Sequence, residues 1–189
     1  MSELINACCQ NYTEIALKLI ESKANLDIQN ITGWTALMYL CYHNNNTEIA
    51  LKLIENKANL NLQTNNRWTA LMKSCYRNNT QIALKLIENK ANLNLQSKFG
   101  RTALMMSCNN NNTEIALKLI ENKANLELQD KDEWTALIMS CNKNNTEIAL
   151  KLIENKANLD MQDKNESTAL MWSCWNNNTE IISILLELC

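Results

Sequence analysis

A phrase running Thr13-Glu14-Ile15-Ala16-Leu17-Lys18-Leu19-Ile20-Glu21 returns almost letter for letter from Thr47, Thr80 (with Gln81 for Glu), Thr113 and Thr146, and in altered form from Thr179. The step from Thr13 to Thr47 is 34 residues, and each later step is 33. A second phrase, Thr-Ala-Leu-Met, keeps the same intervals from Thr35, Thr69, Thr102, Thr135 (with Ile138 for Met) and Thr168. Self-similarity at this period marks a stacked array, in which each unit touches its neighbours and no unit buries its own faces alone. That overrides the one or two globular domains that 189 residues would otherwise suggest.

The formal charge of -2 points to neither a polyanion nor a membrane surface as partner. No apolar run approaches the ~20 residues needed to span a bilayer. The start, Met1 to Asn6, lacks the basic region and long apolar stretch of a secretory signal. A soluble, cytoplasmic protein is the expectation, with a nuclear one equally compatible. Proline is absent and Gly33 and Gly100 are the only glycines, while about one residue in six is asparagine. Turns that require left-handed backbone therefore fall to Asn, which tolerates it better than other side chains do.

The stretch 65–97 serves as the type unit. Thr69 is placed to cap a helix through Ala70-Leu71-Met72-Lys73-Ser74-Cys75-Tyr76. Asn78-Asn79 breaks it. A second helix follows from Thr80, with Ile82, Ala83, Leu86 and Ile87 on one face. The segment from Lys90 to Gln96 then alternates Leu93 and Leu95 with polar residues, as an extended finger does.

This order resembles the ankyrin repeat over essentially the whole chain. The family phrase Thr-Pro-Leu-His-x-Ala-Ala is similar to Thr69-Ala70-Leu71-Met72-Lys73-Ser74-Cys75, and the family's second helix and finger look like Ile82 to Ile87 and Ala91-Asn92-Leu93-Asn94. The resemblance implies an all-α solenoid of about six stacked helix–turn–helix units with short, extended, hairpin-like fingers. It occupies 1–189 as units 1–30, 31–64, 65–97, 98–130, 131–163 and 164–189. The chain departs from the family where Met or Ile replaces a His that bonds between units. It departs again where Lys23, Lys57, Lys90, Lys123 and Lys156 replace a helix-ending Gly. At each of those sites the Lys or its predecessor must take a positive φ, which costs ~1 kcal/mol or more. Asn46 is an extra residue in one inter-helix turn, where an insertion costs little.

Cys8, Cys41, Cys75, Cys108, Cys141 and Cys174 share one column of the repeat. Packed helices lie ~8–10 Å apart, too far for a disulfide between them, so the column reads as small buried hydrophobes in a reducing setting. Cys9 and Cys189 lie outside it and are the more reactive candidates. One histidine, His43, offers no paired metal-ligand spacing and no catalytic set, and no glycine-rich phosphate loop is present. Neither a cofactor, a metal nor catalysis is expected. The recurrent Glu14, Glu48, Glu114 and Glu147 suit the helix dipole, and triplets such as Asn78-Asn79-Thr80 read as turn and cap.

The columns that change are those the resemblance places on finger tips and first helices, the concave groove where ankyrin arrays bind partners. They hold Trp34, Trp68, Phe99, Arg101 and Trp134 at the fingers. On the first helices they hold Tyr39, Tyr42, His43, Lys73, Tyr76, Arg77, Lys143, Trp172 and Trp175. All aromatic residues but Tyr12 fall in them. Trp, Tyr and Arg are the usual anchors of protein interfaces. Sign is uneven: Arg67, Lys73, Arg77, Lys98 and Arg101 occupy the middle, and Asp130, Asp132, Glu133, Asp163 and Glu166 the later tips. The expectation is a non-enzymatic scaffold for a partner protein, with no nucleic acid and no membrane. Two alternatives stand beside it. One is a spacer of a longer protein. The other is a reader in which Trp34, Trp68 and Trp134 cage a methyl-lysine or stack on a glycan. The Trp column could also be framework. The last unit, with Ile184 where its siblings have Lys, is apolar for an array end, which suggests self-association through it or a longer chain.

Overall fold

After the first helical pair, which Ser2 caps, each pair begins at a threonine. Thr69 Oγ1 accepts from the Met72 N–H at 3.2 Å, and Thr102, Thr135 and Thr168 cap the equivalent helices in the same way. At the second helices the expected Thr is instead the first helical residue, and the residue before it is the cap: Tyr12 before Thr13, and an Asn in later units, as Asn79 before Thr80. In the computed structural model, which describes residues 2–43 and 46–188, this grammar gives twelve α-helices and no strand among the described residues. Cys189 lies outside the described residues.

The chain divides into two compact units, Met1–Lys98 and Phe99–Cys189. The first holds α1 (Glu3–Cys9), α2 (Thr13–Glu21), α3 (Ala36–His43), α4 (Thr47–Glu55), α5 (Ala70–Arg77) and α6 (Thr80–Glu88). The second holds α7 (Ala103–Asn109), α8 (Thr113–Glu121), α9 (Ala136–Asn142), α10 (Thr146–Glu154), α11 (Ala169–Trp175) and α12 (Thr179–Leu188). In the N-terminal unit first helices pack side by side, α1 on α3 and α3 on α5, and second helices do likewise, α2 on α4 and α4 on α6. The C-terminal unit repeats this with α7, α9 and α11 in one row and α8, α10 and α12 in the other.

The apolar face read from the sequence is the buried one: Ile82, Ala83, Leu86 and Ile87 are all enclosed, as are Leu71 and Met72 of the preceding helix. The bond that the family draws from His comes here from asparagine. Asn79 Nδ2 donates to the Cys41 carbonyl at 2.5 Å in the N-terminal unit, and Asn145 Nδ2 to the Cys108 carbonyl in the C-terminal one. Lys23, Lys57, Lys90, Lys123 and Lys156 themselves take the left-handed turn, with φ between 59° and 66°. Asn11, Asn78, Asn111, Asn144 and Asn177 take it between the helices. The extra Asn46 caps α4, accepting from the Ile49 N–H at 3.1 Å.

Cys8, Cys41, Cys75, Cys108 and Cys141 are buried, and desolvation pushes the Cys41 thiol up to about 12. Cys174 departs from the column's expected burial and is exposed. Its helix α11 packs on α9 and α12, and no further first helix covers it among the described residues. Cys9 is half-buried, and burial raises its thiol too, which works against a ready thiolate.

Candidate functional site

A finger turn positions Trp34, Trp68 and Trp134, whereas Trp172 and Trp175 stand on α11. Asn30 N–H donates to the Trp34 carbonyl at 2.9 Å, while Asn30 Oδ1 accepts from the N–H groups of Thr32 and Trp34. Thr64 does the same work for Trp68, with a 3.1 Å bond from Trp68 N–H to its hydroxyl. The turns lie against each other so closely that a Cβ at Gly33 would come 2.9 Å from Asn65 N, and φ there is +78°. Arg67 accepts the same left-handed conformation in the following finger.

In the N-terminal unit the eight expected site residues form one connected cluster. Trp34 meets Tyr39 at 4.8 Å and Tyr42 at 5.5 Å between ring centroids, and Tyr39 and Tyr42 both contact His43. Tyr42 stacks parallel to Tyr76 at 6.3 Å, and Tyr76 meets Trp68 edge-on at 5.4 Å. Arg77 Cζ lies 4.3 Å from the Tyr42 centroid, held by a bond from its Nε to the Tyr42 carbonyl. Asn30 Nδ2 donates to the Tyr39 hydroxyl at 3.0 Å. At the centre is Lys73, only 4% exposed. Its Nζ sits 3.2 Å from the Trp34 centroid, 5.2 Å from that of Trp68 and 5.3 Å from that of Tyr42. Two of the three tryptophans expected to cage a foreign cation therefore do enclose one, and it is the chain's own. Burial lowers the Lys73 amine to about 8, against a smaller opposing effect of Cys41.

The C-terminal unit arranges the same columns differently. Trp134 meets Trp172 at 5.0 Å, and Trp172 stacks on Trp175 at 5.4 Å. Trp175 is 77% exposed, and Phe99 stands out from its finger. A hollow of about 430 Å³ opens beside Trp134, lined also by Arg101, Met139, Lys143, Asp132 and Lys164. Its charges are partly paired: Arg101 Nε lies 3.2 Å from Asp130 Oδ2, and Lys164 Nζ 3.6 Å from Asp132 Oδ1.

Asp130 and Asp163, read from the sequence as charged finger tips, are buried. Asp130 Oδ1 accepts from the N–H groups of Asp132 and Trp134, and Asp163 Oδ1 from those of Asn165 and Ser167. Asp163 Oδ2 also takes the Trp172 indole N–H at 2.9 Å. The signal for this was present: Asn30, Thr64, Ser97, Asp130 and Asp163 form one column of short side-chain acceptors, each four residues before the Trp34 column. Lys164 and Met139, both on the wall of the hollow, were likewise missed.

Among the described residues no cluster of three His, Cys, Asp or Glu side chains could hold a metal ion, and no helix is long and apolar enough to cross a membrane. A family model described as ankyrin repeats (3 copies) matches residues 4–97, 42–130, 76–163 and 104–188. Among solved structures, the ankyrin repeat protein EF0377 is 25% identical, with a TM-score of 0.86 over 97% of this chain and 96% of that one. A chain from the complex of predatory endopeptidase Bd0816 of Bdellovibrio bacteriovorus with immunity protein Bd3460 is 26% identical, with a TM-score of 0.81 over 99% of this chain and 98% of that one. No curated protein matches. With matches spanning residues 4 to 188, the chain belongs to the ankyrin-repeat family, whose repeats are general protein–protein interaction modules.

Proposed function

We propose that the chain is a non-enzymatic scaffold that binds a partner protein with the finger tips and first helices of its repeats. The observation that carries this reading is the clustering of the changing columns. Residues spaced by whole repeats meet as one set, half-exposed rings of Trp34, Tyr42 and Trp68 around the buried Lys73 with Arg77 exposed beside them. Framework alone does not require such a set, because the sibling repeat with Ser167 in the Trp column keeps the same finger turn. Large rigid aromatics and arginine are efficient anchors because little side-chain entropy is lost on contact. In this reading Trp34, Tyr39, Tyr42, His43, Trp68, Lys73, Tyr76 and Arg77 form one contact area. Phe99, Arg101, Trp134, Lys143, Trp172 and Trp175 form another. A neighbour drawn from a complex between an endopeptidase and an immunity protein is in keeping with a protein as partner. A reducing, cytoplasmic setting goes with the column of buried free thiols.

Exposed Met171, Trp175, Leu186 and Leu188 on the last helical pair favour a self-contact there as a second association. The test of the main reading is affinity capture from source lysate with the protein and its Trp68→Ala and Trp134→Ala variants, folding checked by circular dichroism. Partner recovery should fall in one or both variants. Undiminished recovery in both would remove these surfaces from the interface.

A further inference from the structure

The N-terminal cluster has a cation at its heart and no anion. Lys73 is buried, and among the described residues no carboxylate lies within ion-pair distance of it. The acids of this unit sit elsewhere: Glu3 at the start of α1, Asp27 in the first finger accepting from the Asn59 N–H, Glu14 and Glu48 at the starts of second helices, and Glu21, Glu55 and Glu88 at their ends. The α3 and α5 helices and the turns at Trp34 and Trp68 carry Arg67, Lys73 and Arg77 and not one Asp or Glu. Ring faces stabilise an ammonium but do not neutralise it. A lysine is rarely this buried without a partner, and the same column holds the neutral Met106 and Met139 in the other unit. A foreign cation would meet a filled cage, whereas an anion would meet a cluster of net positive charge, with Lys73 Nζ 5.3 Å and Arg77 Cζ 4.3 Å from the same Tyr42 centroid.

We propose that the N-terminal unit selects a partner segment carrying a glutamate or aspartate, whose carboxylate seats over Lys73 and Arg77 as the counter-ion this cluster lacks, between Tyr76 and the Trp34 ring. The inference rests on the interaction reading above and names the chemistry of the partner. Besides Lys73, the titratable and charged groups facing this spot are Cys41 of α3, whose thiol burial pushes up to about 12, and Tyr39, Tyr42, His43, Tyr76 and Arg77.

The probes are three capped hexapeptides alternating Tyr with Glu, Gln or Lys, titrated into the whole protein while the Lys73 side-chain and tryptophan resonances are followed by NMR. The Glu peptide should bind at least about tenfold tighter than the Gln peptide, the scale of one charge-assisted hydrogen bond. It should also raise the Lys73 titration midpoint by on the order of one unit from about 8, as a nearby opposite charge does. Lys73→Met installs the residue of the sibling columns, so it should fold, and it should lose most of that preference. Arg77→Gln added to it should remove the rest. If the Glu and Gln peptides both shift Trp34 and Trp68 equally while Lys73 does not move, the acidic inference falls and the contact surface stands. A preference for the Lys peptide, or an unchanged Glu preference in the double variant, overturns the inference as well. If none of the peptides perturbs the tryptophans, both the inference and the surface it rests on are contradicted.

Discussion

One repeat column holds Lys73 in the N-terminal unit and Met139 in the C-terminal unit, and the surroundings of each follow from that choice. Around Lys73 three rings close over an ammonium and no acid approaches. Beside Met139 a hollow stays open, with Asp130 and Asp132 set against Arg101 and Lys164. The threonine cap of the first helix is the same in both, Thr69 in one and Thr135 in the other. A conserved frame therefore fixes where the column points, and a single side chain decides whether the space there is filled with positive charge or left as a partly neutralised cavity.

The largest effect that tests this contrast is removal of the ring at each centre. Trp34→Ala should destabilise by roughly 3–4 kcal/mol, because it deletes a large packed ring and leaves Lys73 a buried ammonium without its nearest stabilising face. Trp134→Ala only enlarges a hollow that is already open, so about 2 kcal/mol is expected. Urea unfolding of the two variants gives the order directly. Equal losses would mean that the filled and open sites do not differ energetically.

Next in size is the finger acceptor. Asp130→Ala strands two backbone N–H groups and the Arg101 guanidinium, which should cost roughly 2–3 kcal/mol. Thr64→Ala in the N-terminal unit removes one bond to Trp68 N–H and should cost about 1 kcal/mol. Asp130→Asn, which keeps an acceptor, should recover most of the loss. If it does not, the ion pair with Arg101 outweighs the turn, contrary to the weakness of partly exposed pairs.

How far the sequence reaches is plain from these residues. The periodic Ile82, Ala83, Leu86 and Ile87 announce their burial because a stacked helix must hide one face. Lys57 and its siblings mark where a positive φ must fall, because the chain has to reverse at a helix end, but not that the Lys rather than its predecessor takes it. Asp130 and Asp163 do not announce burial, since a carboxylate in a polar turn looks solvated until its backbone partners are seen. Lys73 is harder still. Its column fixes which face it leaves, but whether a flexible four-carbon stem bends back under Trp34 depends on which rings the neighbouring repeats supply. The split of the fourteen candidate residues into a connected group of eight and a looser group of six was not legible, because it follows from contacts between columns rather than within them.

The Lys73 charge itself supplies a pH test. Its folded value, about 8, lies below the ordinary 10.5, so the unfolded chain binds more protons between those values and stability rises with pH across that window. Below about pH 8 both states are protonated and the burial penalty is fully present. Lys73→Met removes the ionisation, so at pH 7 the variant should be more stable than the parent by roughly 1–3 kcal/mol, and the gap should narrow by pH 10. Other groups that titrate there are common to both proteins and cancel in the difference. A gap independent of pH would mean that the gain comes from packing rather than from the buried charge.

The converse swap has the smallest expected effect and the most to say about the comparison. Met139→Lys puts an ammonium stem where the wall already offers the Trp134 ring and the carboxylate of Asp132, 68% exposed, a few ångströms from Lys164. The new cation would find an anion that Lys73 lacks, so the loss should stay near or below about 1 kcal/mol. Asp132→Asn in the same background should then enlarge it, whereas Asp132→Asn in the parent should do almost nothing. If Met139→Lys costs as much as Trp134→Ala, the acids of the hollow do not compensate buried charge. The two units would then differ in shape alone, and the acidic lining would have no part in deciding what each accepts.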